Sequence, residues 1–234
     1  MTFVYTSLLR RRKYAVLLAI LLAGVVVRSF ATATSSRSIL HSATETVLGV
    51  AIFLVVFERS ALRRVMTVFL ILIVSIAWVR YLPVSSFECV LSVTQKLAMA
   101  IFCWVTVWVI LRHIFRTSVV GAENALGAIC GYLVAGQAWA SVNALAYLLA
   151  PATYLIDPRL TPLLADWHGS NALFAYYSYT QMLTIGYAAV TPLEAPATTL
   201  SLLAALFGLF YTAVIVSTLV SMAQSHRKEA PSGQ

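Results

Sequence analysis

A chain of 234 residues that is 61% hydrophobic and only 10% charged, with a mean hydropathy of +0.88, is too apolar for a water-soluble domain. Its net charge of +8 sits at the ends of apolar runs, where it orients membrane helices, so nucleic acid is not an expected partner. The three cysteines, Cys89, Cys103 and Cys130, lie in apolar stretches without metal-ligand spacing and read as free thiols, which argues against a disulfide frame or a zinc site.

A spanning helix needs about 20 mostly apolar residues. Six runs approach that length, at 13–32, 39–57, 61–83, 87–115, 124–150 and 197–223. A shorter amphipathic piece at 171–183 cannot cross a bilayer and reads as a re-entrant segment. With the N-terminus inside, the cytoplasmic groups are Arg10, Arg11, Arg12 and Lys13, then Arg59, Arg63 and Arg64, then Arg112 and Arg116, then Arg227 and Lys228. Only Arg28, Arg37, Arg80 and Arg159 fall outside. That asymmetry predicts a multi-pass protein with both termini in the cytoplasm. A cleaved signal peptide is the competing reading of the first run, but Arg28 between the apolar core and the small residues "SFATATSS" is unusual for one. The tail 224–234 is short and polar and is expected to be disordered.

Met182 to Pro192 reads "MLTIGYAAVTP". Ahead of it stand Tyr176, Tyr177, Ser178 and Tyr179; behind it comes an apolar helix with Gly208, 21 residues after Tyr187. This ordered set resembles the pore loop and inner helix of bacterial two-helix-pore potassium channels, whose filter phrase is TVGYGD followed by TP. The likeness covers about the last 50 of the 234 residues. It implies an all-α integral membrane protein with six transmembrane helices and a re-entrant pore helix and filter loop between helices five and six. One loop cannot encircle an ion and four can, so it also implies a homotetrameric pore. On this reading residues 1–12 are a cytoplasmic N-terminus, 13–116 a four-helix peripheral domain, and 124–223 the pore domain.

What the resemblance implies for single residues follows the motif. The backbone carbonyls of Thr184, Ile185, Gly186, Tyr187 and Ala188 would bind potassium or another monovalent cation, the permeant ion being the only bound species expected and no cofactor. Non-helical backbone at membrane depth is tolerated where it is buried in protein or lines a wet cavity, which such a loop satisfies. Ala188 replaces the second filter glycine, and a left-handed alanine costs about 1–2 kcal/mol, or about 4–8 kcal/mol around a four-fold ring. Ala189 replaces the family aspartate, which anchors the filter from behind. Thr180 and Gln181 either donate to the filter from behind in its place or satisfy local carbonyls of their own helix. Glu194 lies near the outer mouth, where four copies concentrate cations, or is a solvated rim carboxylate. Gly208 is either the gating hinge or a small residue for close packing.

The remaining polar residues separate related classes. The fourth run, "FECVLSVTQKLAMAIFCWVTVWVILRHIF", lacks arginines at every third position, which excludes conventional voltage sensing. Its Lys96 needs a partner: Glu45 at similar depth, Glu88 at the outer edge, or an extended reach to the interface. His168 in the turret would bring pH sensitivity, against the plainer reading of a solvated loop histidine. No acid, base and nucleophile share a segment, so no enzyme is expected. The two halves show no matching broken helices, which disfavours a transporter. The expected function is passive cation conduction in the bacterial inner membrane, with selectivity weakened by Ala188 and Ala189. The alternative is a non-conducting, channel-like scaffold or regulatory subunit that keeps the fold.

Overall fold

The computed structural model describes residues 13–31, 37–57, 62–79, 88–116, 122–164, 167–186 and 189–229. Each of the six apolar runs forms a helix: α1 (Lys13–Ala31), α2 (Arg37–Val56), α3 (Arg63–Val79), α4 (Glu88–Arg116), α5 (Ala122–Leu149) and α8 (Ala195–Glu229). Between α5 and α8 lie a 3-10 turn at Pro151–Thr153, strand β1 (Tyr154–Ile156), a short α6 (Thr161–Leu164), α7 (Trp167–Met182) and strand β2 (Val190–Pro192). Three helical segments among the described residues are long and apolar enough to cross a membrane, Glu88–Arg116, Glu123–Leu149 and Ala195–Thr218; Lys13–Val27 and Ser42–Val56 are apolar but shorter.

α5 is apolar around its whole circumference, and a helix of that kind seeks the centre of a bundle. It packs against α1, α4, α7 and α8. Small residues make this possible. A Cβ on Gly136 would lie 1.9 Å from Cε1 of Tyr179, so the tyrosine ring of α7 rests directly on the α5 backbone and its hydroxyl donates to the Leu133 carbonyl at 2.6 Å. α5 ends at Leu149 because Pro151 follows, and the residue ahead of a proline is pushed away from helical backbone.

The largest hydrophobic core runs from Leu17 and Leu21 of α1 through Ile52, Phe102 and Val134 to Ala204 of α8. That core joins side chains of α1, α2, α3, α4, α5 and α8. Trp104 of α4 meets Trp139 of α5 and Phe207 of α8 edge-on, with ring centroids 5.4 and 5.2 Å away. α1 is fixed to α5 by the Tyr14 N–H, which donates to Glu123 Oε2 at 3.1 Å.

Two features depart from the sequence expectation. α8 continues to Glu229, past the point where a disordered tail was expected to begin. Alanine, glutamine, arginine, lysine and glutamate in 223–229 are good helix formers, and extending an existing helix avoids the cost of nucleation. Residues 230–234 lie outside the described residues, as does the predicted N-terminal segment 1–12. The turret, expected as a loop, contains β1, which pairs antiparallel with β2 in the register Tyr154↔Pro192, Leu155↔Thr191 and Ile156↔Val190.

Candidate functional site

α7 is the amphipathic piece expected at 171–183, begun four residues earlier. It is wedged between α5 and α8. Phe174 and Tyr177 are fully enclosed, in a second core with Ala144, Tyr154, Val190 and Ala197. Polar side chains then fix the helix in register. The Tyr177 hydroxyl is hydrogen-bonded to Ser201 of α8. Asn143 of α5, entirely buried, donates to Ser178 Oγ at 3.0 Å and accepts from the Tyr154 hydroxyl of β1 at 2.9 Å. Burial raises the Tyr154 phenol above its ordinary pKa, and nearby Tyr177 adds to this, so the hydroxyl stays protonated and able to donate.

At its other end α7 stops in a specific way. Thr184 has φ 57°, the left-handed region. Its N–H donates to the Gln181 carbonyl at 2.9 Å, and the next N–H, of Ile185, donates to the Thr180 carbonyl at 2.9 Å. This crossed pair is the Schellman cap, whose left-handed position is ordinarily glycine. A β-branched residue there is an outlier that costs about 1–2 kcal/mol. Strain of this kind collects at functional sites. Thr184→Gly is accordingly expected to raise the unfolding midpoint of the detergent-solubilised protein, with a net gain of about 0.5–1 kcal/mol after the added backbone entropy of glycine. A lower midpoint would show that the left-handed turn is not what residue 184 adopts.

The cap also orients the residues that follow. The N–H groups of Thr184, Ile185 and Gly186 all point at α7, to the carbonyls of Gln181 and Thr180, the last at 3.4 Å. In a planar trans peptide the carbonyl points opposite to the N–H of the same unit. The carbonyls of Leu183, Thr184 and Ile185 therefore all face away from α7. That side is open: residues 183–186 are exposed in the single chain. Gly186 repeats the left-handed turn at φ 65°, two residues after Thr184. The Thr184 hydroxyl donates to the Leu183 carbonyl at 2.7 Å, which places its oxygen beside the same row.

The other predicted residues fall as follows. Tyr187 and Ala188 lie outside the described residues. Thr180 and Gln181 support the turn through their main-chain carbonyls; the Thr180 hydroxyl instead donates back to Tyr177 at 2.8 Å, the local alternative weighed from sequence. Ala189 has no side chain to anchor, but its carbonyl accepts from the Asp157 N–H at 3.1 Å. Exposed Glu194 immediately precedes α8: its carbonyl accepts from the Thr198 N–H at 3.0 Å, and negative charge at that end of a helix is favoured by the helix dipole. Gly208 lies against the end of α7, where an added Cβ would be 2.1 Å from the Met182 carbonyl oxygen.

Glu45 and Lys96, singled out from sequence, are both buried, so Lys96 does not extend to an exposed interface. Glu45 Oε2 accepts from Gln95 at 3.2 Å and Oε1 from Asn171 of α7 at 3.4 Å. Sequence reasoning passed over Asn143, Asn171 and Tyr154, because an isolated amide or phenol in an apolar run carries no spacing signal. Their common mark is polarity where the neighbours are apolar, which is expensive unless partnered.

The molecule is thus a predominantly helical protein in which three helices among the described residues are long and apolar enough to cross a membrane, with a short helix whose capped end turns a row of carbonyls to an open face. No protein-family model, no curated protein and no solved structure matches the chain.

Proposed function

We propose that the chain is one subunit of a homotetrameric cation channel, with residues 184–188 as its filter and its selectivity for potassium weakened by Ala188 and Ala189. The observation that carries this reading is the row of outward carbonyls at residues 183–185, held by N–H groups that all bond back to α7. A row of backbone oxygens replaces the hydration shell of a cation when several copies surround it. α8 supports the same reading: only 28% of its apolar window is buried in the single chain, against 61% for α5. Exposed Leu202, Leu206, Leu209 and Phe210 then await lipid or further copies of the chain. Six spans and cytoplasmic termini belong to the same proposal, supported by the charge distribution read above, and a bacterial inner membrane is what the family resemblance implies.

Purified protein in vesicles with potassium inside and sodium outside tests the proposal. Wild type is expected to pass current with a reversal potential short of the potassium limit. Ala188→Gly, relieving about 1–2 kcal/mol per copy, is expected to raise the potassium-over-sodium permeability ratio about tenfold. Absence of any monovalent cation flux in both proteins would favour the second reading, a non-conducting scaffold, to which the missing second glycine already points.

A further inference from the structure

The chain lacks a side chain at 189 able to hold the filter, yet the backbone on either side of the undescribed pair 187–188 is firmly placed. Below it, three N–H groups bond to the end of α7. Above it, the Ala189 carbonyl accepts from the Asp157 N–H and the Leu193 N–H donates to the Thr153 carbonyl at 2.9 Å, extending the β1–β2 ladder by one pair at each end. Bonded pairs alternate along an antiparallel ladder, so 157/189 and 153/193 are bonded and Tyr154↔Pro192 is not. Proline, with no N–H to give, sits where no ladder bond is asked of it. β1 is in turn tied to the helix that carries the turn. Tyr154 donates to Asn143, and Asn143 donates to Ser178, two residues before Thr180.

We infer that the turret strand is the outer anchor of the candidate filter: the Asp157 N–H on the Ala189 carbonyl replaces a side-chain anchor, and Asn143 is the positioning residue that sets β1 at the right distance from α7. The inference rests on the channel reading for its effect on selectivity, and on the described backbone alone for the tether. One clasp thereby serves both ends of the filter. Asn143 sets Ser178 and α7, whose last carbonyls hold residues 184–186, and through Tyr154 it sets the strand that holds residue 189.

Asp157→Pro removes the donating N–H, and Asp157→Ala keeps it while removing the side chain, which otherwise accepts from the Arg159 N–H. Two measurements on the intact, assembled protein separate the claims. Amide hydrogen exchange over 183–193 is expected to quicken about threefold or more in Asp157→Pro relative to Asp157→Ala, the effect of losing one net hydrogen bond. The potassium-over-sodium permeability ratio from reversal potentials is expected to fall by a similar factor in the same comparison. Tyr154→Phe, which deletes one hydroxyl from the clasp and leaves its ring in place, is expected to move both readouts in the same direction by less. Asn143→Ala is expected to move them by more, provided it assembles. Equal exchange in the proline and alanine variants overturns the tether. Faster exchange with an unchanged reversal potential overturns its role in selectivity. Vesicles silent with wild type overturn the channel reading instead and leave the exchange comparison to decide the tether.

Discussion

Gly208→Ala is expected to destabilise the protein by about 1–3 kcal/mol, although alanine is the better helix former by about 1 kcal/mol. The reason is what the new methyl group meets. Its nearest neighbours are main-chain atoms: the Met182 carbonyl oxygen at 2.1 Å, with the carbonyl carbon and Cα at 2.8 Å. A side chain turns aside when crowded, but backbone at the end of a capped helix does not, so α7 or α8 must shift as a unit. A hinge role alone predicts the opposite sign, since stiffening a pivot with alanine stabilises a helix. Thermal unfolding of the solubilised protein distinguishes the two: a midpoint lowered by several degrees supports close packing, and a raised midpoint supports the pivot. The displacement would also disturb Thr180 and Gln181, whose carbonyls hold the next turn, so altered reversal potentials are expected alongside the lower midpoint.

The second large effect is at Glu45. Glu45→Ala is expected to cost about 2–5 kcal/mol, because it strips the acceptor from two buried amides in different helices. Gln95 belongs to α4 and Asn171 to α7, so this carboxylate is the point at which α2 meets both. Glu45→Gln keeps the shape and one acceptor oxygen and is expected to cost about 1 kcal/mol. Unfolding midpoints of the two variants check the ordering. Equal losses would assign the site to charge itself, and the exchanged pair Glu45→Lys with Lys96→Glu would then restore what the single changes lose. The consequence for α7 is specific: Asn171 is one helical face of the element whose far end carries the outward carbonyls.

The helices were legible because about 20 apolar residues between charges admit few other readings, and the short piece at 171–183 stood out by falling below that length. The turn after Met182 was legible only as a motif. Its physical basis, a Schellman cap with threonine at the left-handed position, was not. Conformational cost was expected at Ala188, outside the described residues, and is found at Thr184. A threonine reads as a β-former in any propensity scheme, and only the two crossed hydrogen bonds reveal that it ends a helix instead. The β1–β2 pairing escaped for a different reason. Three residues on each side give too short an alternation to rise above the surrounding apolar sequence. Asn143 escaped because its three hydrogen-bonding partners, Trp139, Ser178 and Tyr154, come from two helices and a strand and lie up to 35 positions from it.

The capped end of α7 has one more consequence. The N–H groups of residues 183, 184, 185 and 186 are all spent on carbonyls of Tyr179, Gln181 and Thr180. The open side of this turn therefore offers oxygen lone pairs and, from those four peptide units, no donor. The Thr184 hydroxyl beside this row is itself already donating, to the Leu183 carbonyl at 2.7 Å. On the channel reading proposed above, such a cap would favour cations over anions, and the two alanines would bear on the choice among cations.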